Sequence, residues 1–86
     1  MDKHIILGVH ITDRVVHAAR VQQTLTEHGC TIRTRVGLHE ADKNVCSPNG
    51  LVLIEVLDDE PEVEALATAL KAIEGIEVQT MVFDHP

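Results

Sequence analysis

LVLIEVLDDEPEVEALATALKAIEGIEVQTMVF, residues 51–83, carries a complete strand, helix and strand, and its reading decides the fold class. LVLIEVL (51–57) is apolar and branched, the composition of a buried strand. DDEPEVEALATALKAIEG (58–75) reads as a helix. Asp59 and Glu62 have the spacing of a capping box, Pro61 falls in the first turn, and the acids there suit the positive end of the helix dipole. Val63, Leu66, Leu70 and Ile73 form one apolar face, and Gly75 stands where a left-handed residue ends a helix. IEVQTMVF (76–83) alternates Ile76, Val78, Thr80 and Val82 with Glu77, Gln79, Met81 and Phe83, the period of a half-exposed strand.

Upstream, the same grammar recurs. HIILGVHI (4–11) is a strand, Thr12-Asp13 offers a cap, and RVVHAARVQQTLTEH (14–28) a helix with a thin stripe of Val15, Ala18, Val21, Gln22 and Leu25 closed by Gly29. In this reading His17 and His28 lie on the solvent side of the helix. TIRTRVGLHE (31–40) alternates Ile32, Thr34, Val36 and Leu38 with Arg33, Arg35, Gly37 and His39. ADKNVCSPNG (41–50) has the composition of a long loop with one apolar residue, Val45. Asp13, Gly29 and Val36 recur at one constant offset as Asp59, Gly75 and Val82. The order βαββαβ predicts an α+β, ferredoxin-like domain over residues 1–86, with right-handed crossovers placing both helices on one face of a four-stranded antiparallel sheet.

Alternation then defines the helix-free face: His4, Ile6, Gly8 and His10 on the first strand, and Leu51, Leu53, Glu55 and Leu57 on the third. The second strand contributes Arg33, Arg35, Gly37 and His39, and the fourth Glu77, Gln79, Met81 and Phe83. The offset between halves would instead bury Glu55, but an unpaired buried carboxylate is costly, which favours the open side. A hairpin centred near Val45 sets Arg35 opposite Glu55 and Gly37 opposite Leu53. Ile6, Leu51, Leu53, Leu57, Met81 and Phe83 make more apolar surface than a small monomer normally leaves to water, so a homodimer or homotetramer is expected to cover them.

Composition narrows the task. The chain has 86 residues with 14 acidic against 7 basic groups, net charge −7, and a single aromatic residue, Phe83. An acidic surface repels nucleic acid and anionic lipid, and stacking platforms for single strands are lacking, so no direct nucleic-acid contact is expected. The N-terminal apolar run is too short to span a membrane and has no secretory cleavage signature, which points to the cytoplasm. Cys30 and Cys46 are then expected as thiols.

Six histidines raise a metal reading, in which His10, His39 and Cys46 meet over the open face and bind zinc, nickel or copper. No dense pair such as HxH or CxxC supports it, and scattered surface histidines are the plainer account. Cys46 has no basic neighbour beyond Lys43, the run Asp58, Asp59, Glu60, Glu62 is explained by a helix start, and the single glycine of HIILGVHITDR makes no phosphate loop. The chain is therefore read as a non-enzyme, and the residues name no cofactor.

ITDR (11–14), HGCTIRTRVG (28–37), LVLIEVLDDE (51–60) and LKAIEGIEVQTMV (70–82) together resemble the iron-only hydrogenase system regulators. That is a small family with an ACT-like domain, similar in fold to the C-terminal domain of the nickel-responsive repressor. Arg35-Val36-Gly37 and the Gly75-Ile76 helix exit are the most telling stretches. The resemblance implies a regulatory module that binds a small ligand at a subunit interface, near the turn after the first strand. Carried over by position, the ligand residues are His10, Ile11, Thr12, Asp13 and Arg14, and the expected site is this turn together with Arg35 and His39. The usual Asp-Arg-Pro-Gly turn is here Asp13-Arg14-Val15-Val16, and the repressor's histidine-rich strand has no counterpart.

Overall fold

The computed structural model describes residues 3–41 and 46–84. Strand β1 (His4–Ile11) leads into helix α1 (Arg14–Glu27), a 3-10 turn (Gly29–Thr31), strands β2 (Ile32–Ala41) and β3 (Cys46–Val56), helix α2 (Glu60–Lys71) and strand β4 (Ile76–Phe83). The four strands form one antiparallel sheet in the order β2-β3-β1-β4. The predicted ferredoxin-like βαββαβ architecture is present.

The core lies between the sheet and both helices. Alternate residues of the two central strands, Ile5, Leu7, Val9 and Ile11 on β1 with Ile54 and Val56 on β3, meet Val21 and Leu25 of α1 and Leu66 and Leu70 of α2. Of the thin stripe of α1, Val21 and Leu25 are fully buried, whereas Gln22 is exposed. Among the described residues no helix is long and apolar enough to cross a membrane.

Several local expectations fail for identifiable reasons. Asp59 occupies the N-cap of α2 in extended geometry but makes no side-chain cap bond, so the predicted capping box is absent; Pro61, Glu60 and Glu62 remain in the first turn. Gly29 is not left-handed: α1 gives way directly to the 3-10 turn, which keeps the same hand of coiling, whereas Gly75 has φ 82°. The left-handed residue of the first half is instead Asp13, φ 53°, at the start of α1. The punctuation that repeats in sequence thus does not repeat in conformation. The segment read as a loop over 41–50 is mostly strand, since Ala41 pairs with Cys46 and β3 begins there. Val45 lies outside the described residues.

The largest correction concerns β2. Its register shifts between Ile32 and Thr34, so Ile32 lies opposite Val56 while Thr34 lies opposite Glu55 and Arg35 opposite Ile54. Arg35 therefore stands one residue away from its expected partner, and a one-residue slip moves every side chain to the other face. Arg35 and Gly37 belong to the helix side; Thr34 and Val36 belong to the open face.

Candidate functional site

Two adjoining surfaces carry most of the expected site residues. The first is the turn after β1. Thr12 donates its N–H to the carbonyl of Gly75 at 2.9 Å, and the Asp13 carbonyl accepts from the N–H groups of Val16 and His17 at 3.0 and 3.2 Å. Because β1 and β4 are neighbours, with Ile11 opposite Ile76, this turn is held against the exit of α2. His17 lies across that junction: a Cβ placed on Gly75 would come within 3.0 Å of both Cδ2 and Nε2 of its ring. His17 is half-buried rather than facing solvent as expected. Only the topology could have revealed this role, because it places the first turn of α1 beside a residue far off in sequence.

The second surface is the open face, which the register maps row by row. Leu51 lies beside His10, which lies beside Glu77. The next row runs Val36, Leu53, Gly8, Gln79, and the one after it Thr34, Glu55, Ile6, Met81. His4 and Phe83 close the array, with Leu57 just beyond the end of β3. Val36, Leu51, Leu53, Leu57, Met81 and Phe83 are all exposed, between 36% and 54%.

The polar groups of this face are partly tied together. Glu55 stays on the open side, as the cost of burying it requires, and its carboxylate lies 3.4 Å from His4 Nδ1. Thr34 Oγ1 donates to the same carboxylate at 3.5 Å. Gln79 Nε2 donates to Glu77 at 3.0 Å. Between these groups Gly8, which has no side chain, leaves a depression of about 260 Å³ walled by His10, Leu51, Glu77 and Gln79. The arrangement offers a donor, acceptors and an apolar wall to a small polar group, and an apolar floor on either side.

The expected ligand set divides. Thr12 and Asp13 form the turn and His10 stands two residues before it, on the open face. Arg35 lies on the opposite face of the sheet, where its guanidinium donates to the side-chain carbonyl of Gln22 on α1. The backbone of His39 pairs with Gly50, in line with Ile11, whereas His10 is in line with Leu51. The side chains of Arg14, His39 and Cys46 lie outside the described ones. Among the described residues no group of three histidines, cysteines or acids is placed to hold a metal ion. The expected apolar set, by contrast, does come together: Ile6, Leu51, Leu53, Leu57, Met81 and Phe83 share the open face, joined by Val36, which the misread register of β2 had assigned elsewhere.

No family profile matches the chain and no curated protein sequence matches it. Solved structures do. Protein TM1266 from Thermotoga maritima superposes with a TM-score of 0.80 at 21% identity, covering 98% of this chain and 100% of that one. The ACT domain of GTP pyrophosphokinase from Chlorobium tepidum matches with a TM-score of 0.65 at 16% identity, over 94% of this chain and 100% of that one. CPII, a nitrogen regulatory PII-like protein from Thiomonas intermedia solved with ADP, AMP and bicarbonate, matches with a TM-score of 0.58 at 14% identity, over 98% of this chain and 96% of that one. At these identities the likeness is one of fold: the chain shares the ferredoxin-like architecture of ACT and PII-like proteins. The same architecture serves the oxygenase SnoaB from Streptomyces nogalater, TM-score 0.57, so it does not by itself separate regulators from enzymes.

Proposed function

We propose that the chain is a small cytoplasmic regulatory module, one ACT-like domain over its length, that associates with itself through the open sheet face and senses a small molecule at the turn after β1. The observation that carries the reading is the open face itself. A contiguous set of exposed apolar side chains on the helix-free side of the sheet is the mark of a surface meant to be covered. The adjoining turn, with Thr12, Asp13 and Arg14 at the end of β1, is the position at which ACT-like domains take their ligands, and His10 stands between turn and face. The fold neighbours support a sensor: one is the ACT domain of a GTP pyrophosphokinase and another is a nitrogen regulatory PII-like protein bound to ADP, AMP and bicarbonate. The process regulated is, on the resemblance of ITDR, Arg35-Val36-Gly37 and the Gly75-Ile76 exit, an iron-only hydrogenase system. In this role the chain has no catalytic activity of its own.

A thermal melt against free amino acids, adenine nucleotides, bicarbonate and divalent transition metals tests the sensor. A ligand at a hundredfold its dissociation constant adds about 2.7 kcal/mol, which raises the midpoint of a domain this small by roughly ten degrees or more. The expected result is such a shift with one small organic ligand, reduced in Asp13→Asn, which keeps a residue tolerant of left-handed backbone and removes the carboxylate. A shift confined to nickel, zinc or copper and lost in His39→Ala would transfer the site to His10, His39 and Cys46. No shift from any ligand would remove the sensor and leave only assembly.

A further inference from the structure

We infer that two copies stack open face to open face about a two-fold axis running diagonally across the strands, through Leu53, Ile6 and Phe83, so that the strands of the two sheets cross at about 70°. The inference rests on the self-association proposed above and adds its geometry. Its basis is the distribution of polar and apolar side chains over the face.

Most of the apolar residues occupy two opposite corners. Val36, Leu51 and Leu53 fill the corner where β2 and β3 meet the hairpin end, and Ile6, Met81 and Phe83 fill the corner where β1 and β4 meet the other end. The remaining corners carry the polar groups, His10, Glu77 and Gln79 on one side and Thr34, Glu55 and His4 on the other, where Leu57 is an apolar residue at the rim. A closed homodimer is isologous, so its axis must lie in the plane between the faces and each residue meets the image of its own surface.

Only one direction for that axis satisfies the pattern. An axis parallel to the strands exchanges β1 with β3 and β4 with β2, laying Ile6 on the partner's Glu55 and Leu51 on the partner's His10. An axis perpendicular to the strands lays Leu53 on the partner's Glu55 and Phe83 on the partner's Glu77. Both bury carboxylates against apolar groups, at the desolvation cost that interfaces avoid. Two diagonals remain. Residues on a two-fold axis meet their own copies, and the diagonal through Glu77, Gly8 and Glu55 would bring carboxylate against carboxylate twice. The other diagonal, through Leu53, Ile6 and Phe83, is apolar from end to end. It sets Leu51 against the partner's Val36, Met81 against the edge of the partner's His4, and Glu55 over the depression at the partner's Gly8, within reach of the partner's His10. One strand spacing of ~4.8 Å for every two residues, ~6.8 Å, sets this diagonal about 35° from the strands, so the two sheets cross at about 70°, nearer to the orthogonal than to the aligned way of packing face to face. Four strands about 4.8 Å apart make each sheet about 19 Å wide, so the crossed sheets overlap over about 400 Å² in projection, which side-chain relief raises. Against the ~800 Å² per partner of a standard interface, this is a small one.

The axis is tested with single cysteines in a background carrying Cys30→Ser and Cys46→Ser, treated with a bis-maleimide whose reach matches the ~10 Å spacing of stacked sheets. All four test positions are on the open surface, and each variant is first checked for a wild-type melt. The expected result is efficient cross-linking of Leu53→Cys and of Ile6→Cys to covalent dimer. Leu57→Cys and Gln79→Cys, which the axis displaces far from their own images, should give at least tenfold less. Self-cross-linking at Leu57→Cys with a dimeric mass would put the axis along the strands, and at Gln79→Cys would put it across them or on the other diagonal; either overturns this geometry while leaving the open-face interface standing. A mass by light scattering that is monomeric, or dimeric and unchanged in Leu53→Asp, overturns the interface as well.

Discussion

Gly75 and Gly29 show what a single residue discloses. Each comes after a helix, and in sequence they are indistinguishable as stops. In the structure Gly75 has φ 82° with His17 packed over it, whereas a Cβ on Gly29 would meet nothing within 4 Å. The path of the chain beyond each helix makes the difference. After α1 the chain continues in a 3-10 turn, through Gly29 to the buried Thr31, so no reversal of hand is needed. After α2 it must turn at once into β4. Gly75→Ala is therefore expected to destabilise by about 1–2 kcal/mol from the left-handed backbone alone, with a further cost from displacing His17. Gly29→Ala should stay within about 0.5 kcal/mol of the parent. Urea denaturation of the two variants decides the matter, and equal midpoints would contradict the assignment. Asp13, the left-handed non-glycine residue, was legible as a helix start but not as a strained one, because an Asp before a helix ordinarily caps with its side chain and this one makes no cap bond.

The strands separate what a period of two can and cannot convey. On β1, β3 and β4 the alternation assigned faces correctly, including the open side for Glu55, where burial of the carboxylate decided the issue. On β2 it failed, since a bulge adds one residue without leaving a mark in the pattern. Arg33 and Arg35 are alike in sequence, yet Arg35 ends beside Gln22 on α1 and takes no part in the open face. The notion of an arginine stripe on that face goes with it. The face of β3 gives a direct check. Ile54 is fully buried beneath the helices, and Ile54→Ala should cost about 2–5 kcal/mol, the range for removing a buried aliphatic side chain. Its neighbour Glu55 is only half-buried, and Glu55→Gln, which keeps an acceptor for Thr34, should cost less than about 1 kcal/mol. Chemical denaturation of both reads the two faces of one strand, and a larger loss for Glu55→Gln would reverse their assignment.

At the scale of the molecule, topology and core were legible because the two buried strands and the α2 stripe are strongly patterned, and right-handed crossovers leave one arrangement for them. The ligand was not, since turn residues such as Thr12 and Asp13 serve many chemistries on the same fold. Self-association falls between these cases: the apolar set was readable, but its corner-to-corner layout required the true register of β2, which brings in Val36. A folded state stabilised by pairing of copies obeys mass action, so its melting point must rise with protein concentration. A tenfold increase contributes about 1.4 kcal/mol per mole of dimer, equivalent to roughly 4 °C for two chains of this length. Leu53→Asp supplies the control. Leu53 is 39% exposed, so a charge there is tolerated by the isolated fold, yet on the two-fold axis it would face its own copy in a desolvated contact. The wild-type midpoint should climb with concentration while that of Leu53→Asp stays flat, the two curves converging on dilution. A flat wild-type curve would mean that the exposed apolar face of this sheet is left uncovered by its own kind and awaits a different partner.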